Sequence, residues 1–404
     1  MIEPILIVQI AIALILGVLA GCITGLCPGL HINMLAFFIV SSSAYLSQYL
    51  QPIILASFIV SVSITHTFID FIPSIFLGSP DEDTALSVLP GHSLLLQGRG
   101  HEAVMHTLYG GILGLIVILI FTPIFIFLLP KIYPFLKNIM LLILLFTSFY
   151  MLLREDNKIL AFLVFGMSGM IGLSTLTLPL KETLLPMLTG LFGASSLITS
   201  IAKKQKLPKQ KIAKSKIDLK GLLKIFIPTS IASSLCSFLP ALGSGQAAII
   251  ASDMMKQPEK ENFLMLVGSI NTIVMGLSII SLYCINVKRT GSAVAISQLL
   301  PEISVFSLVI FIIVVLLSGL ISFLLGKSIS KIFARNIYKI NYNKLSLGVL
   351  IFISVVVLAF SGWLGFLVFL VSTCTGLYAI SSGARRTLLM GCLMLPAIWF
   401  YLPI

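Results

Sequence analysis

The stretch "GILGLIVILIFTPIFIFLLP", from Gly111 to Pro130, contains twenty residues and no charged side chain. A helix of that length crosses about 30 Å of hydrocarbon, and the run lacks the alternation of a membrane β-strand. Similar apolar runs recur along the whole chain, which is 58% hydrophobic and 10% charged with a mean hydropathy of +1.11. Ordinary soluble domains are roughly 45–50% apolar and about 25% charged. The sequence therefore predicts an all-α polytopic membrane protein.

The net charge of +12 is concentrated in a few loops. Residues Lys203 to Lys220 contain eight lysines and one aspartate. A basic segment beside membrane spans is typical of a cytoplasmic loop facing anionic headgroups of the lipid bilayer, so no nucleic-acid partner is expected. A second basic loop, Lys327 to Lys344, and the pair Arg385 and Arg386 are expected on the same side.

The Lys-rich loop divides the chain into three parts: a first repeat over 1–201, a basic cytoplasmic linker over 202–220, and a second repeat over 221–404. Each repeat begins with a Pro/Gly-broken apolar hairpin and continues with about five transmembrane helices. The broken hairpins are expected near 5–46 and 222–252. The spans are expected near 52–77, 104–130, 134–153, 159–177 and 183–201, and then near 263–285, 303–325, 346–360, 362–380 and 387–403. An odd number of crossings in each half predicts two inverted-topology repeats, with the N-terminus outside.

Two pairs of short stretches support the repeat. "GLCPGLHIN", Gly25 to Asn33, aligns with "SFLPALGSG", Ser237 to Gly245, at an offset of 212 residues. "GSPDEDTALSVLP", Gly78 to Pro90, aligns with "RTGSAVAISQLLP", Arg289 to Pro301, at an offset of 211. The two offsets agree to one residue, which indicates an internal duplication.

A proline followed by a glycine breaks a membrane helix, because proline lacks the amide donor and glycine tolerates unusual backbone angles. The next half-helix then starts with free N–H groups that attract an anion. Two such breaks near the bilayer midplane predict a substrate site for a small anion. We assign to this site Ser79 and Thr84, which lie in the polar stretch between spans. We also assign to it the residues at and after the two breaks: Pro28, Gly29, His31, Asn33, Pro240, Gly243, Ser244, Gly245 and Gln246. The alternative is that the proline at each break merely kinks a packed helix, with Asn33 or Gln246 bonded to a neighbour.

Asp70 lies inside an apolar run, where a carboxylate at the bilayer centre costs about 2.5–3.5 kcal/mol. His66 is four residues earlier and lies on the same helix face. We interpret both, together with Asp81 and Asp83, as candidates for coupling to a cation, either H⁺ or Na⁺. Two alternatives stay open: Asp70 pairs locally near the interface, and the acidic triplet 81–83 caps the helix that follows it.

The sequence contains no metal-binding, cofactor-binding or catalytic motif. His101 and His106 are five residues apart, off the single face that a helical zinc site needs. The six cysteines show no CxxC spacing. We therefore expect a protein that is not an enzyme and that holds neither a metal nor a cofactor.

Two stretches resemble the TctA family, the large membrane subunit of tripartite tricarboxylate transporters. Gly21 to Asn33 is similar to the family's Leu-Pro-Gly-Leu break, and Gly78 to Val104 contains Thr84-Ala85-Leu86, Pro90 and Gln97-Gly98 in the family's order. The chain departs from the family pattern at His66 and Asp70, at Ala241 and at Lys288-Arg289. The resemblance implies a cation-coupled permease that works with a small membrane subunit and an extracytoplasmic binding protein.

These observations together predict a secondary-active permease of the cell membrane. It would move a small, carboxylate-like anion coupled to a cation gradient, with the cargo between the two broken helices. The alternative is a translocase for an anionic lipid carrier such as polyprenyl phosphate, which the basic cytoplasmic surface would suit. A homodimer is left open.

Overall fold

The structure is a computed structural model that describes residues 4–27, 32–78, 83–180, 183–202, 208–212, 219–239, 243–256, 258–339 and 342–402. Within these ranges the chain is helical and contains no β-strand. The prediction of an all-α membrane protein is therefore confirmed.

The described residues of the first half form eleven α-helices, several of which are short pieces of one span. Their bounds are α1 Pro4–Leu26, α2 Ile32–Ser41, α3 Ser43–Leu46, α4 Pro52–Ile69, α5 Phe71–Leu77, α6 Val88–Leu96, α7 Gly100–Asn138, α8 Met140–Leu153, α9 Lys158–Thr177, α10 Leu184–Leu188 and α11 Ser195–Ala202. A 3₁₀ turn, Ala85–Ser87, precedes α6, and a π-helical segment, Thr189–Ala194, joins α10 to α11.

The second half contains seven α-helices among the described residues. Their bounds are α12 Leu219–Cys236, α13 Ser244–Met254, α14 Lys260–Ile285, α15 Gly291–Leu299, α16 Val305–Asn336, α17 Tyr342–Ser381 and α18 Gly391–Tyr401. A 3₁₀ turn, Ile337–Lys339, follows α16, and another, Arg386–Met390, precedes α18.

Seven of the described helices are long and apolar enough to cross a membrane. They are Pro4–Leu26, Pro52–Leu77, Gly100–Asn138, Lys158–Thr177, Lys260–Ile285, Val305–Lys339 and Asn343–Ser381. Four shorter apolar helices, between ten and seventeen residues long, accompany them. The chain is thus a multi-pass membrane protein.

The span boundaries agree only in part with the sequence prediction. The turn expected between Pro130 and Pro134 lies at Ile139, because α7 continues through Pro123, Pro130 and Pro134. Such prolines are tolerated in membrane helices where neighbouring groups satisfy the freed carbonyls. The boundary expected between the spans 346–360 and 362–380 falls at Gly362, whose non-helical backbone, with a φ of 68°, divides α17 into two helices.

Two helices form the centre of the molecule. In their most apolar windows, 89% of the residues of Pro52–Leu77 and 94% of those of Lys260–Ile285 are buried. The equivalent fraction is 28% for both α1 and the α17 span, whose large apolar side chains face outward. Helices α4, α5 and α14 are therefore surrounded by protein, and the outer helices present the apolar surface that lipid would cover.

Glycines permit the close packing of α1 on α4. Gly17, Gly21 and Gly25 are four residues apart, and a Cβ built on each would lie 2.6–2.9 Å from the Cβ of a residue on α4: Ser61, Thr65 and Ile69 respectively. Small residues at this spacing let membrane helices approach backbone to backbone. The end of α1 is therefore fixed against the end of α4, beside the first predicted break.

Candidate functional site

A line of polar side chains runs along one face of α4 and α5. His66, Asp70 and Ser74 are four residues apart, so they project in the same direction from the helix. All three are buried, and Asp70 is 2% exposed. Pro73 lacks an amide donor for the carbonyl of Ile69, and this is where α4 gives way to α5.

Each of these three side chains contacts a different element. His66 Nδ1 lies 3.1 Å from Thr24 Oγ1, near the end of α1. Asn271 Nδ2 on α14 donates to Asp70 Oδ2 over 2.9 Å. Ser74 Oγ lies 2.7 Å from Thr84 Oγ1, just before the 3₁₀ turn Ala85–Ser87. The Asp70 carboxylate, which is costly in an apolar run, and the His66 imidazole are thus held by neighbours from both halves of the chain.

The line continues across the molecule through Asp83. Ser244 Oγ, at the first residue of α13, donates a hydrogen bond to Asp83 Oδ1. A carboxylate at this position is favoured by the partial positive charge of the helix start. The Asp83 carboxylate thus lies at a helix N-terminus. That helix is α13 of the second half, and not the helix that follows Asp83 in the sequence. We call the connected residues Thr24, His66, Asp70, Asn271, Ser74, Thr84, Asp83 and Ser244 the polar seam.

The start of α13 carries donors that face a buried environment. Gln246 Oε1 accepts the amide of Gly243 over 2.7 Å, which fixes the side chain against its own helix end. Gln246 Nε2 is buried and has no hydrogen-bond partner among the described residues. Together with the amides of the first turn, it makes this helix start a place where hydrogen-bond donors exceed acceptors.

A small cavity opens beside α13. It has a volume of about 150 Å³ and is lined by Leu86, Met151, Arg154, Glu155, Ile249, Ser252, Phe263, Arg385 and Thr387. Arg154 pairs with Asp253, and Arg385 pairs with Glu155 at 3.4 Å. Burial raises the pKa of the Glu155 carboxyl above its usual value, while both arginines oppose that shift. We call this opening the side cavity.

The basic linker is anchored to the first half at its middle. The Gln210 side chain accepts the amide of Gly100 over 2.8 Å and donates to the carbonyl of Leu95 over 3.0 Å. The amide of Lys211 donates to the carbonyl of Gly98 over 2.7 Å. Residues 208–212, which we call the strap, therefore close the turn between α6 and α7.

Arg99 ties the same turn to α14. Its guanidinium donates to both carboxylate oxygens of Glu102, over 2.8 and 2.7 Å, and lies 2.9 Å from Glu261. The carboxylates of Glu102, which has the larger effect, and of Glu261 hold the pKa of the Arg99 guanidinium above its ordinary value. Nearby, His101 Nδ1 lies 2.9 Å from Ser330 Oγ, whereas His106 lies 3.9 Å from Glu102. The two histidines thus have separate partners.

The model of the tripartite tricarboxylate transporter TctA family matches residues 11–391 of the chain. This protein belongs to the TctA family. An uncharacterized protein of Methanocaldococcus jannaschii is 32% identical over 399 residues, covering 96% of this chain and 98% of that protein. No solved structure matches. TctA proteins are membrane subunits of transporters, so this chain is a transporter component and not an enzyme.

Several predicted site residues of this TctA protein lie outside the described part of the chain. They are Pro28, Gly29, His31, Ser79, Asp81 and Pro240. Asn33 is described only as part of the backbone of α2. Their roles stay predictions.

The other predicted residues of the TctA chain fall into one connected region. His66, Asp70, Thr84, Asp83 and Ser244 belong to the polar seam, and Gly243, Gly245 and Gln246 form the start of α13 that the seam reaches.

Sequence reasoning missed three members of the seam: Thr24, Ser74 and Asn271. Ser74 continues the four-residue spacing of His66 and Asp70, so that signal was available in the sequence. Asn271 lies in the most apolar part of α14, which is a recognisable anomaly, but its partner is 201 residues away. The two arginines that the sequence presents as a third basic site, Arg385 and Arg386, differ in the structure: Arg385 is partly exposed and paired, whereas Arg386 is buried.

Proposed function

We propose that this TctA protein is a secondary-active permease for a small carboxylate-like anion, coupled to H⁺ or Na⁺. The cargo would bind at the start of α13, beside the polar seam. The observation that carries the proposal is the Asp83–Ser244 hydrogen bond, because it joins a carboxylate of one half to a helix N-terminus of the other. The family match supports a transporter subunit.

The order of elements supports two inverted-topology repeats, 1–201 and 221–404, joined by the linker 202–220. The series α1–α2, α4–α5, α6, α7, α8–α9 and α10–α11 has a counterpart in α12–α13, α14, α15, α16, the kinked α17 and α18 with its preceding turn. Contacts exchange in the same way: α4 packs on α16 as α14 packs on α7, and α9 packs on α18 as α17 packs on α10 and α11. This exchange is what a pseudo-two-fold relation between the halves requires.

A competition between carboxylates would couple the cargo to the cation. Asp83 occupies the amide end of α13 through Ser244, and a second negative group there would be repelled. A proton or a sodium ion that neutralises Asp83 would release Ser244 and the helix amides for the anionic cargo. Asp70, with His66 one turn before it, is the second coupling group in this scheme, because its charge lies in the protein centre between both halves.

The surroundings of the permease follow from the family and from the charge pattern. We place the protein in the cell membrane with the Lys203–Lys220 loop in the cytoplasm, as the positive-inside rule favours. TctA proteins work in tripartite systems, which supports a small membrane subunit and an extracytoplasmic binding protein as partners.

A thermal-shift screen of the purified protein tests the function. We expect citrate or succinate, but not a polyprenyl phosphate, to raise the unfolding temperature, because a ligand at a hundred times its Kd stabilises by about 2.7 kcal/mol. Ser244→Ala should lose this shift. Ser281→Ala is the matched control, because the Ser281 hydroxyl is buried and, among the described residues, bonds only the carbonyl of Leu277 in its own helix.

Each other outcome has a defined meaning. Stabilisation by the polyprenyl phosphate alone would support the lipid-carrier translocase and contradict the solute permease. A wild-type protein that no carboxylate stabilises would contradict the proposed cargo class. An S244A variant that keeps the full shift would remove the start of α13 from the site.

A further inference from the structure

Arg386 is a buried cation for which the described part of the chain supplies no carboxylate partner. Its side chain belongs to the 3₁₀ turn Arg386–Met390 and is 9% exposed. Nη1 has no hydrogen-bond partner, and no carboxylate among the described residues pairs with the guanidinium. By contrast, Arg99, Arg154 and Arg385 each pair with at least one carboxylate.

A buried guanidinium without a counter-charge is costly. Removing an ion from water costs several kcal/mol even after the protein relaxes, and pairing or hydrogen bonding normally offsets that cost. A chain that keeps such a group therefore needs the charge for something other than its own stability. An anion from outside the chain is the partner that would offset the cost.

The turn that carries Arg386 packs against the start of α13. A Cβ built on Gly245 would lie 2.8 Å from the Cε of Met390, the last residue of that turn. A 3₁₀ turn rises about 2.0 Å per residue, so the Cα of Arg386 lies about 8 Å from the Cα of Met390. On either side of Arg386, Arg385 and Thr387 line the side cavity together with Ile249 and Ser252 of α13. The turn Arg386–Met390 thus packs along the face of α13 that carries Gly245, Ile249 and Ser252.

Neighbouring residues hold this turn in place. Ser168 Oγ on α9 donates to the carbonyl of Leu388 over 3.2 Å, and the amide of Leu388 bonds the carbonyl of Arg385 over 3.1 Å. The backbone around Arg386 is therefore fixed before any ligand binds, which is the condition for a charge that recognises a ligand without a large ordering cost.

We propose that Arg386 is the charge-neutralising residue of the cargo site, and that its guanidinium binds a carboxylate or phosphate oxygen pair of the transported anion. This inference rests on the proposed function, since it places the cargo between Arg386 and the start of α13. A planar guanidinium suits either group, because it donates two parallel hydrogen bonds. The solute and the lipid headgroup share this chemistry and are separated in the test.

The test uses the full-length protein in nanodiscs, with citrate and a polyprenyl phosphate as probes. Arg386→Met keeps the length of the side chain and removes the charge, and Arg386→Lys keeps the charge without the planar fork. The control is Arg385→Met, since the adjacent Arg385 side chain is 44% exposed and is already paired with Glu155. Binding is measured by calorimetry, and unfolding without ligand is measured by thermal shift.

We expect R386M to unfold at or above the wild-type temperature without ligand and to bind its probe at least tenfold more weakly. R386K should bind with intermediate affinity, and R385M should bind like the wild type. The probe that shows this loss identifies the source of the anionic group, citrate for a solute or the polyprenyl phosphate for a lipid.

Two results would overturn the inference. An R386M protein that binds as tightly as the wild type would show that Arg386 does not touch the cargo, while the wild-type binding would leave the proposed function standing. An R386M protein that unfolds well below the wild type would show that the arginine stabilises the fold. If the wild type binds neither probe, the proposed function fails, and this unfolding comparison still tests the inference.

Discussion

Asp70 and Asp83 belong to the first half of the chain, and both accept hydrogen bonds from residues of the second half. Asp70 accepts from the amide of Asn271, and Asp83 accepts from the hydroxyl of Ser244. Neutral donors satisfy a carboxylate without cancelling its charge. Both side chains therefore join the two halves of the chain through neutral hydrogen-bond donors.

The proposed coupling scheme predicts the behaviour of an Asp83 variant. In that scheme Asp83→Asn removes the charge that competes with the cargo at the start of α13, so carboxylate uptake should continue without an imposed cation gradient. The measurement is uptake of labelled citrate into proteoliposomes, with and without a pH or sodium gradient. Asp156→Asn is the control, because Asp156 is exposed in the turn between α8 and α9. Uptake by the variant that still follows the gradient as the wild type does would contradict the coupling role of Asp83.

The sequence predicts the charged members of the site better than their partners. His66 and Asp70 stand out because ionisable groups are rare in apolar runs, and their spacing puts them on one face. Thr24 and Asn271 have no such signal, because hydroxyl and amide side chains are common in membrane helices as packing groups. Their pairing depends on helices that meet only after folding.

The packing of α9 against α18 depends on the absence of a Cβ atom at one glycine. Gly166, Gly169 and Gly172 recur every three residues, and a Cβ on Gly172 would overlap the carbonyl oxygen of Cys392 on α18. A Cβ on Gly166 would meet no atom within 4 Å. Glycine is therefore required at position 172 of α9 and dispensable at position 166.

Matched alanine variants of α9 test this difference. Gly172→Ala should destabilise the protein by about 1–3 kcal/mol, because a backbone carbonyl cannot move aside as a side chain can. Gly166→Ala should be neutral or stabilising by up to about 1 kcal/mol, because alanine favours a helix. Thermal unfolding in detergent measures both variants. Equal effects of the two substitutions would mean that α9 and α18 do not pack as closely as described.

Element positions follow from the sequence more readily than element ends. The order of the spans is set by runs of apolar residues, and each predicted span has a helix in the structure. The predicted end of the second span at Pro130 is wrong, because α7 continues through that proline. The predicted boundary between 346–360 and 362–380 matches the break at Gly362, because a glycine between two apolar runs permits the positive φ of a break.

At the scale of the whole molecule, the strap links the linker to the first half. The Gln210 side chain, which is 8% exposed, satisfies the carbonyl of Leu95 at the end of α6 and the amide of Gly100 at the start of α7. Charge pattern identifies this segment as a basic loop, but it does not reveal that one uncharged residue among the lysines anchors it.

Removal of the anchor should destabilise the protein. Gln210→Ala leaves a buried carbonyl and a buried amide without their partner, at a cost of about 1–3 kcal/mol for each unsatisfied group. Gln97→Ala is the matched control, because Gln97 is exposed in the same turn. We expect a lower unfolding temperature for Q210A and a change within about 0.5 kcal/mol for Q97A. A Q210A protein as stable as Q97A would contradict the anchoring role of the strap.

The anchored linker also limits how far the start of the second half can move from the strap. Six residues of sequence separate Ile212, at the end of the strap, from Leu219, the first residue of α12. Fully stretched, that tether reaches about 25 Å. In the proposed permease, any movement of one repeat against the other must therefore keep Leu219, the first residue of α12, within that distance of Ile212.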